Sequence, residues 1–373
     1  MVSGLPFTRA FNSAGASEQR RAKILADPGY GRYFTDHMVT IRWMVERGWH
    51  DAKVLPYAPL TLDPASMVFH YGQAIFEGLK AYRQWDRSIA CFRPGVNAAR
   101  FRTSAAGVAM PELPDELFLG SLGELLAVDQ VWAPASSGEG SVYLRPFMIG
   151  TEVGLGVRPP AECLFVLIAS PVGSPFSGRV EPVDVWLATD YTRLLPGSVG
   201  NVKRGGNYAA LLLPERAAAE NGCAQVAYLD AGERRWVEEM GSNNIFFVFG
   251  RGENTELVTP ELSDRIVPGV TRDSVLVLAK ELGYRVTERK VSGQEWLEGA
   301  EDGRITEVFG SGTTGGISPV GGVKYPGGAV RIGDGQPGPV TMRLRNRLTG
   351  IQRGISPDTH HWMHRLVPSR AHA

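Results

Sequence analysis

Short apolar, β-branched runs alternate with stretches of helical period along the chain, and no segment recurs at a fixed spacing. Residues 66–83 read as a strand, a turn and another strand. Phe92-Arg93-Pro94-Gly95 leads into a helix through Ala106, since proline suits a first helical turn. Residues 115–130 predict an amphipathic helix, 142–149 a strand, and 163–170, apolar almost throughout, a buried strand. The densest interior Pro/Gly/Ser stretch, PVGSPFSGRVEP, follows and marks a domain boundary near residues 172–182. Beyond it, 183–189 reads as a strand and 207–221 as a helix closed by Gly222. Pro214 should kink or break that helix, because proline removes a hydrogen bond and crowds the preceding turn. Residues 224–229 and 236–249 flank DAGERR as the arms of a hairpin, and 270–282 is a helix entered through Pro268-Gly269. Mixed strands and helices in two halves give an α+β chain with a first domain at 1–175, a linker at 176–183 and a second domain at 184–373.

Composition narrows the partners. The chain has 39 Lys and Arg against 39 Asp and Glu, so no basic excess exists to neutralise a nucleic acid or hold an anionic membrane. The longest apolar runs, such as residues 164–169, are far too short to span a bilayer, and the N-terminus lacks a cationic segment leading into an apolar one. Cys91, Cys163 and Cys223 form no CxxC pair and read as small buried hydrophobes, which favours a reducing, cytoplasmic setting. A small-molecule partner is the expectation.

Candidate chemistry gathers in three places. Val270-Thr271-Arg272-Asp273 begins a helix after a Pro-Gly turn, where free N–H groups and the dipole suit a phosphate. The run 309–316, FGSGTTGG, has glycines that let backbone amides converge on an oxyanion, with hydroxyls beside them. Taken singly, each reads more often as an ordinary turn. Lys203 precedes Gly205-Gly206 at the mouth of a helix, with room around its amine, although alone it reads as a loop lysine. No G-x-S-x-G elbow, Walker loop or HExxH motif occurs. His360, His361 and His364 have helical metal-site spacing, but they lie in a polar tail without neighbouring acids and read as solvated, so no metal is expected. Glu77 and Lys80 read as an exposed pair without chemistry, and Arg93 and Arg102 as surface charges.

Together, VGNVKRGGNYAALL, GCAQVAYLD and WVEEMGSNNIFFVFG resemble the branched-chain amino acid aminotransferases of the fold-type IV pyridoxal-phosphate family. YGQAIFEGLKAYR, FRPGVNAARF, SVYLRPFMIGTE, VPGVTRDSVL, ITEVFGSGTT and LTGIQRG continue the likeness in order, covering the chain from about residue 30. The resemblance implies a two-domain fold, with a small N-terminal α/β domain and a larger C-terminal domain of mixed, barrel-like sheet with helices. It implies pyridoxal 5′-phosphate as cofactor, Lys203 as its Schiff-base lysine and Glu239 as the carboxylate facing the pyridine nitrogen. Tyr208 is implied for the ring oxygen, Ser242 beside the cofactor, and Arg100, Val270, Thr271 and Thr313 for the phosphate. For substrate it implies backbone amides at Thr313 and Thr314, a side-chain pocket of Tyr71, Phe76 and Tyr143, and Arg145 for the distal carboxylate of 2-oxoglutarate. Tyr71, Leu155 and Val157 match positions contributed by a neighbouring subunit, which implies a homodimer. The implied reaction moves an amino group from leucine, isoleucine or valine to 2-oxoglutarate by a ping-pong route.

Some positions depart from the usual pattern. Gly315 and Ser318 stand where mammalian relatives carry a CxxC, Pro175 replaces an aromatic, Ser242-Asn243-Asn244 replaces a more usual Thr or Gly, Met, Asn sequence beside the cofactor, and Thr314-Gly315-Gly316 replaces an Ala-rich one. Such changes could shift preference toward a bulkier or modified amino acid, since one methylene is worth only about 1–3 kcal/mol. A D-amino acid aminotransferase, an aminodeoxychorismate lyase and a cofactor-binding protein without turnover compete with this reading. FEGLKAYR, LTGIQRG and the chain length argue against the first two, and the retention of both Lys203 and Glu239 against the third.

Overall fold

The computed structural model describes residues 4–174, 179–197 and 199–369, and Pro175 therefore lies outside the described residues. The chain divides into two compact units. The first holds residues up to Ser174 together with Val202–Gly205 and the segment from Ile351 onward, and the second holds Gly206–Gly350 with the stretch preceding Val202.

The first unit opens with β1 (Thr8–Arg9), α1 (Glu18–Ala26), β2 (His37–Met44) and β3 (Gly48–Pro56). There follow α2 (Met67–Tyr71), β4 (Ala74–Phe76), β5 (Leu79–Arg83), β6 (Ile89–Phe92), α3 (Pro94–Gly107), α4 (Asp115–Val128), β7 (Ser141–Gly150) and β8 (Glu162–Val172). Its sheet runs β1-β3-β2-β8-β7-β5-β6, with β4 also paired to β7. Strand β8 lies between β2 and β7, which explains its nearly unbroken apolar sequence. Phe101 of α3, Phe118 of α4 and Phe165 of β8 meet with ring centroids 5.6–6.5 Å apart, and burial of each ring stabilises the unit by about 1.5–3 kcal/mol. The strand expected over the start of 66–83 is instead the helix α2. Gly72, at φ 59°, closes it by bonding its N–H to Val68 O, a left-handed cap that glycine adopts without strain.

The second unit contains β9 (Val183–Ala188), α5 (Gly205–Ala209), α6 (Leu212–Glu220), β10 (Gln225–Leu229), β11 (Val237–Met240), β12 (Asn244–Phe249) and β13 (Glu256–Thr259). After these come α7 (Val270–Glu281), β14 (Arg285–Glu288), α8 (Gly293–Glu301), β15 (Ile305–Gly312), β16 (Gly316–Tyr325), β17 (Gly328–Arg331) and α9 (Pro339–Gln352). The sheet order is β11-β10-β9-β16-β15-β12-β13-β14, with β17 on β16. One face of β12 and β15 buries Ile245, Phe247 and Val308 with Trp296 of α8, the Phe247 and Trp296 rings meeting edge-on at 5.4 Å.

Proline breaks the helix expected over 207–221: α5 ends at Ala209 and α6 begins at Leu212. Pro214 falls in the first turn of α6, where its missing N–H has no intrahelical acceptor to lose. The DAGERR turn does join antiparallel strands, β10 and β11, and the Asp230 carboxylate accepts N–H groups from Gly232, Glu233, Arg235 and Trp236. The second arm, expected to run from 236 to 249, instead splits at Gly241, φ 58°, into β11 and β12. A Cβ at Gly241 would lie 2.4 Å from Gln225 Oε1, so the turn requires glycine.

The chain ends back in the first unit. There β18 (Met363–Val367) pairs antiparallel with β6. The histidine-bearing tail is therefore a strand and not a run of helical spacing: His364 pairs opposite Cys91 in the sheet, the His360 ring stacks on Trp362 with centroids 4.3 Å apart, and His361 and His364 are exposed, as the solvated reading expects.

Candidate functional site

Lys203 is fixed by its backbone in the first unit. Its carbonyl accepts the Phe76 N–H at 3.0 Å, its own N–H is donated to Ser104 Oγ of α3 at 3.1 Å, and Arg204 bridges Ile75. The lysine thus extends the edge of β4, with Val202 packed so closely on Gly107 that a Cβ there would fall 2.5 Å from Val202 Cγ2. Its amine lies 4.8 Å from the centroid of the Phe76 ring. Arg145 lies 4.9 Å from the same ring and 5.3 Å from that of Tyr143, and it donates from Nη2 to Tyr143 Oη at 2.9 Å. Three residues implied for lysine chemistry and substrate, Lys203, Phe76 and Arg145, therefore share one aromatic surface, with Tyr143 bonded to the third.

Glu77 differs most from its expected role. It is fully buried, not an exposed partner of Lys80. Oε1 accepts Arg100 Nε at 2.6 Å, while Oε2 accepts Arg100 Nη2 at 2.8 Å, Asn97 Nδ2 at 2.8 Å and the Gly78 N–H at 3.1 Å. Burial alone would push its carboxyl up. The Arg100 charge and hydrogen bonds, the charge of Lys203 and the Asn97 amide together outweigh burial and hold it below the usual carboxylate range. Strand alternation turns Phe76 and Glu77 to opposite faces, and Asn97 and Arg100, three apart on α3, lie on one helix side. Nothing in the sequence pattern separated this glutamate from an ordinary surface acid.

The flanking arginines have structural partners. Arg93 caps α3 in a left-handed conformation and lies 5.1 Å over Trp362, while Arg102 ion-pairs with Asp115. Tyr71 donates its hydroxyl to Leu155 O, and Leu155 and Val157 are 67% and 83% exposed. All three cysteines are buried thiols. Burial pushes Cys163 up to about 12 and also raises Cys91 and Cys223, so they are poor nucleophiles.

In the second unit, the reversal at Gly241 sets β11 beside β12. Glu239, 1% exposed, ion-pairs with Arg193 at 2.5 Å and accepts the Asn244 amide at 3.2 Å. The same amide group donates to Val267 O at 2.9 Å, in the segment that enters α7. One side chain therefore ties the buried carboxylate to the start of a helix whose first turn, at Val270 and Thr271, has no side-chain cap. Thr313, half-buried, and Thr314, exposed, lie on the turn from β15 to β16. Tyr208 of α5 packs against the cluster of Leu211, Val226 and Tyr228, and Ser242 is exposed on the reversal. Arg193 was not singled out in the sequence, because it belongs to no catalytic signature, and Asn244 stood out only within a triplet that departs from the family pattern.

A buried carboxylate and an uncapped helix start, joined by one amide, form a donor and acceptor set that fits a phosphorylated pyridine: an anion at one end and a ring nitrogen at the other.

Comparison with known proteins places the chain in a family. The sequence profile of the family described as "Amino-transferase class IV" matches residues 74–323. The chain is 56% identical over 367 residues to a branched-chain-amino-acid aminotransferase of Mycolicibacterium smegmatis, covering 98% of this chain and 100% of that one. It is 54% identical over 369 residues to the Mycobacterium tuberculosis protein of the same name, covering 98% and 100%. Among solved structures it resembles the Escherichia coli branched-chain amino acid aminotransferase, with TM-score 0.72 and 27% identity over 87% of this chain and 99% of that one. A T.th. branched-chain amino acid aminotransferase solved with pyridoxamine 5′-phosphate gives TM-score 0.72 and 27% identity, over 87% and 98%.

Proposed function

We propose that this chain, which belongs to the class IV aminotransferases, uses pyridoxal 5′-phosphate to move the amino group of leucine, isoleucine or valine to 2-oxoglutarate in two alternating half-reactions at one site. The observation that carries the choice of substrate is the extent of the likeness, 56% identity over 98% of the chain, to a protein named for branched-chain amino acids.

When bound, the cofactor supplies an aldehyde carbon that condenses with amines and a ring that accepts electrons. The residues supply the rest. Lys203 would hold the cofactor through Nζ, then use the freed amine to take the substrate's Cα proton, acting as base and afterwards as acid. Glu239, held by Arg193 and Asn244, would face the pyridine nitrogen, and Tyr208 and Ser242 would lie beside the ring. Arg100, Val270, Thr271 and Thr313 would receive the phosphate. Thr313 and Thr314 would hold the α-carboxylate through backbone N–H groups, while Tyr71, Phe76 and Tyr143 line the side-chain pocket. Arg145, braced by Tyr143, would take the distal carboxylate of 2-oxoglutarate through a two-pronged contact.

The exposed Leu155 and Val157, next to the Tyr71 hydroxyl contact, support a homodimer in which these residues complete the neighbouring subunit's pocket. Among the described residues no helix is long and apolar enough to cross a membrane, and we place the enzyme in the cytoplasm with small amino acids and 2-oxo acids as its partners. A panel of amino donors against 2-oxoglutarate tests the reading. Turnover of leucine, isoleucine and valine above aromatic donors is the expected result; failure of all three beside a working bulky donor would replace it with the specialised activity toward bulkier amino acids that Asn243 and Gly315 keep open.

A further inference from the structure

The hydroxyl of Ser311 is buried, its residue 2% exposed, and Oγ has no hydrogen-bond partner among the described residues. A buried hydroxyl without a partner weakens the fold unless something else occupies it. Its place on the sheet says what that could be. Ser311 pairs opposite Asn244 across β15 and β12, two positions along from the pair Phe309 and Phe246, whose rings stack at 5.0 Å. Side chains two apart along a strand share a face, so Ser311 stands beside Asn244 on the face where that amide binds Glu239 and Val267 O. The opposite face carries Ile245, Phe247 and Val308 in the apolar core. Directly opposite residues bring their Cβ atoms to about 4.5–5.5 Å, so Ser311 neighbours the side chain that bonds Val267 O in the segment entering α7. The first turn of α7, twelve residues long, lacks a side-chain cap.

We propose that Ser311 is a further anchoring residue of the phosphate seat, its hydroxyl donating to a phosphate oxygen beside the N–H groups of Val270 and Thr271. The inference rests on the cofactor reading above and adds a residue that reading does not use. Its signature is an opposition between stability and binding: removing a hydroxyl that lacks a protein partner should not weaken the unliganded fold, yet it should weaken a phosphorylated ligand.

The test compares wild type with Ser311→Ala, using the full chain freed of cofactor. Two quantities are measured: the thermal midpoint without ligand, and the affinities for pyridoxal 5′-phosphate and for pyridoxal, which lacks the phosphate. The expected result is an unchanged or higher midpoint, a five- to tenfold weaker affinity for the phosphorylated compound and an unchanged affinity for pyridoxal. A preserved affinity ratio, or an equal loss of both affinities, overturns the inference. Ser311→Cys, of similar size but a weak donor, should reproduce the loss and serves if the alanine variant packs poorly. A wild-type protein that binds both compounds equally would instead overturn the cofactor reading, so the two failures are distinguishable.

Discussion

Replacing Glu77 with glutamine keeps the shape of the side chain and removes the charge that holds Arg100. In the native protein four N–H donations converge on this carboxylate, two from Arg100 and one each from Asn97 and Gly78. Glutamine places an amide, itself a donor, against some of those donors. It also leaves the Arg100 guanidinium, whose side chain is 10% exposed, without its countercharge, and a guanidinium does not escape by losing a proton. Breaking a buried pair by removing one partner costs about 3–5 kcal/mol, against about 0–1 kcal/mol for an exposed pair. The expected outcome for Glu77→Gln is a loss in the upper range, seen in urea as a lower midpoint at unchanged slope. Its pH dependence follows from the lowered carboxyl. The unfolded chain binds the proton at higher pH than the folded chain does, so the Glu77 contribution is fully present above the ordinary carboxylate range. It disappears as pH falls below that range through the folded value. The difference between wild type and variant should hold from neutral pH to about 5 and shrink at more acid pH. A loss below about 1 kcal/mol, or a difference that grows on acidification, would refute the buried-pair argument.

Two further outcomes follow from the same geometry. A Cβ at Gly78 would lie 2.0 Å from Tyr143 Oη, so Gly78→Ala must displace the phenol and its bond to Arg145; steady-state kinetics should show KM for 2-oxoglutarate rising about tenfold or more, about 1.4 kcal/mol or above, with kcat changed less, and an unchanged KM would remove Tyr143 from acceptor binding. Glu239→Gln should keep cofactor bound, seen in the absorbance of the purified protein, while turnover falls at least a hundredfold; wild-type turnover would show that this carboxylate has no part in the chemistry.

Elements with a long period or a strong punctuation mark were legible in the sequence. The α3 start at Pro94, the apolar β8 and the break before Pro214 follow from local rules that tertiary packing did not override. The short helix α2 was missed because five residues cannot display a helical period, and only Gly72 hinted at its end. The single strand expected over 236–249 failed because Gly241 looks like any glycine until Gln225 is seen beneath it. The strand in the tail was missed for a related reason: its pairing partner β6 lies some 270 residues earlier, and nothing local announces a strand added from that distance. Among the proposed site residues, Lys203, Glu239, Thr271 and Thr313 were expected from motif likeness. Glu77, Asn97 and Arg193 were not, since each holds another residue and its identity alone carries no chemical signature. Ser311 lay inside a glycine-rich run already noticed, but its missing partner is visible only once the strand register is known.

Whether the amine of Lys203 carries the cofactor is decided by borohydride reduction of the purified protein with pyridoxal 5′-phosphate, followed by peptide mass spectrometry. One stable pyridoxyl adduct per chain is expected, on the peptide bearing Lys203, and none on that peptide in Lys203→Ala. An adduct on another lysine, or none on wild type, would contradict that role of Lys203.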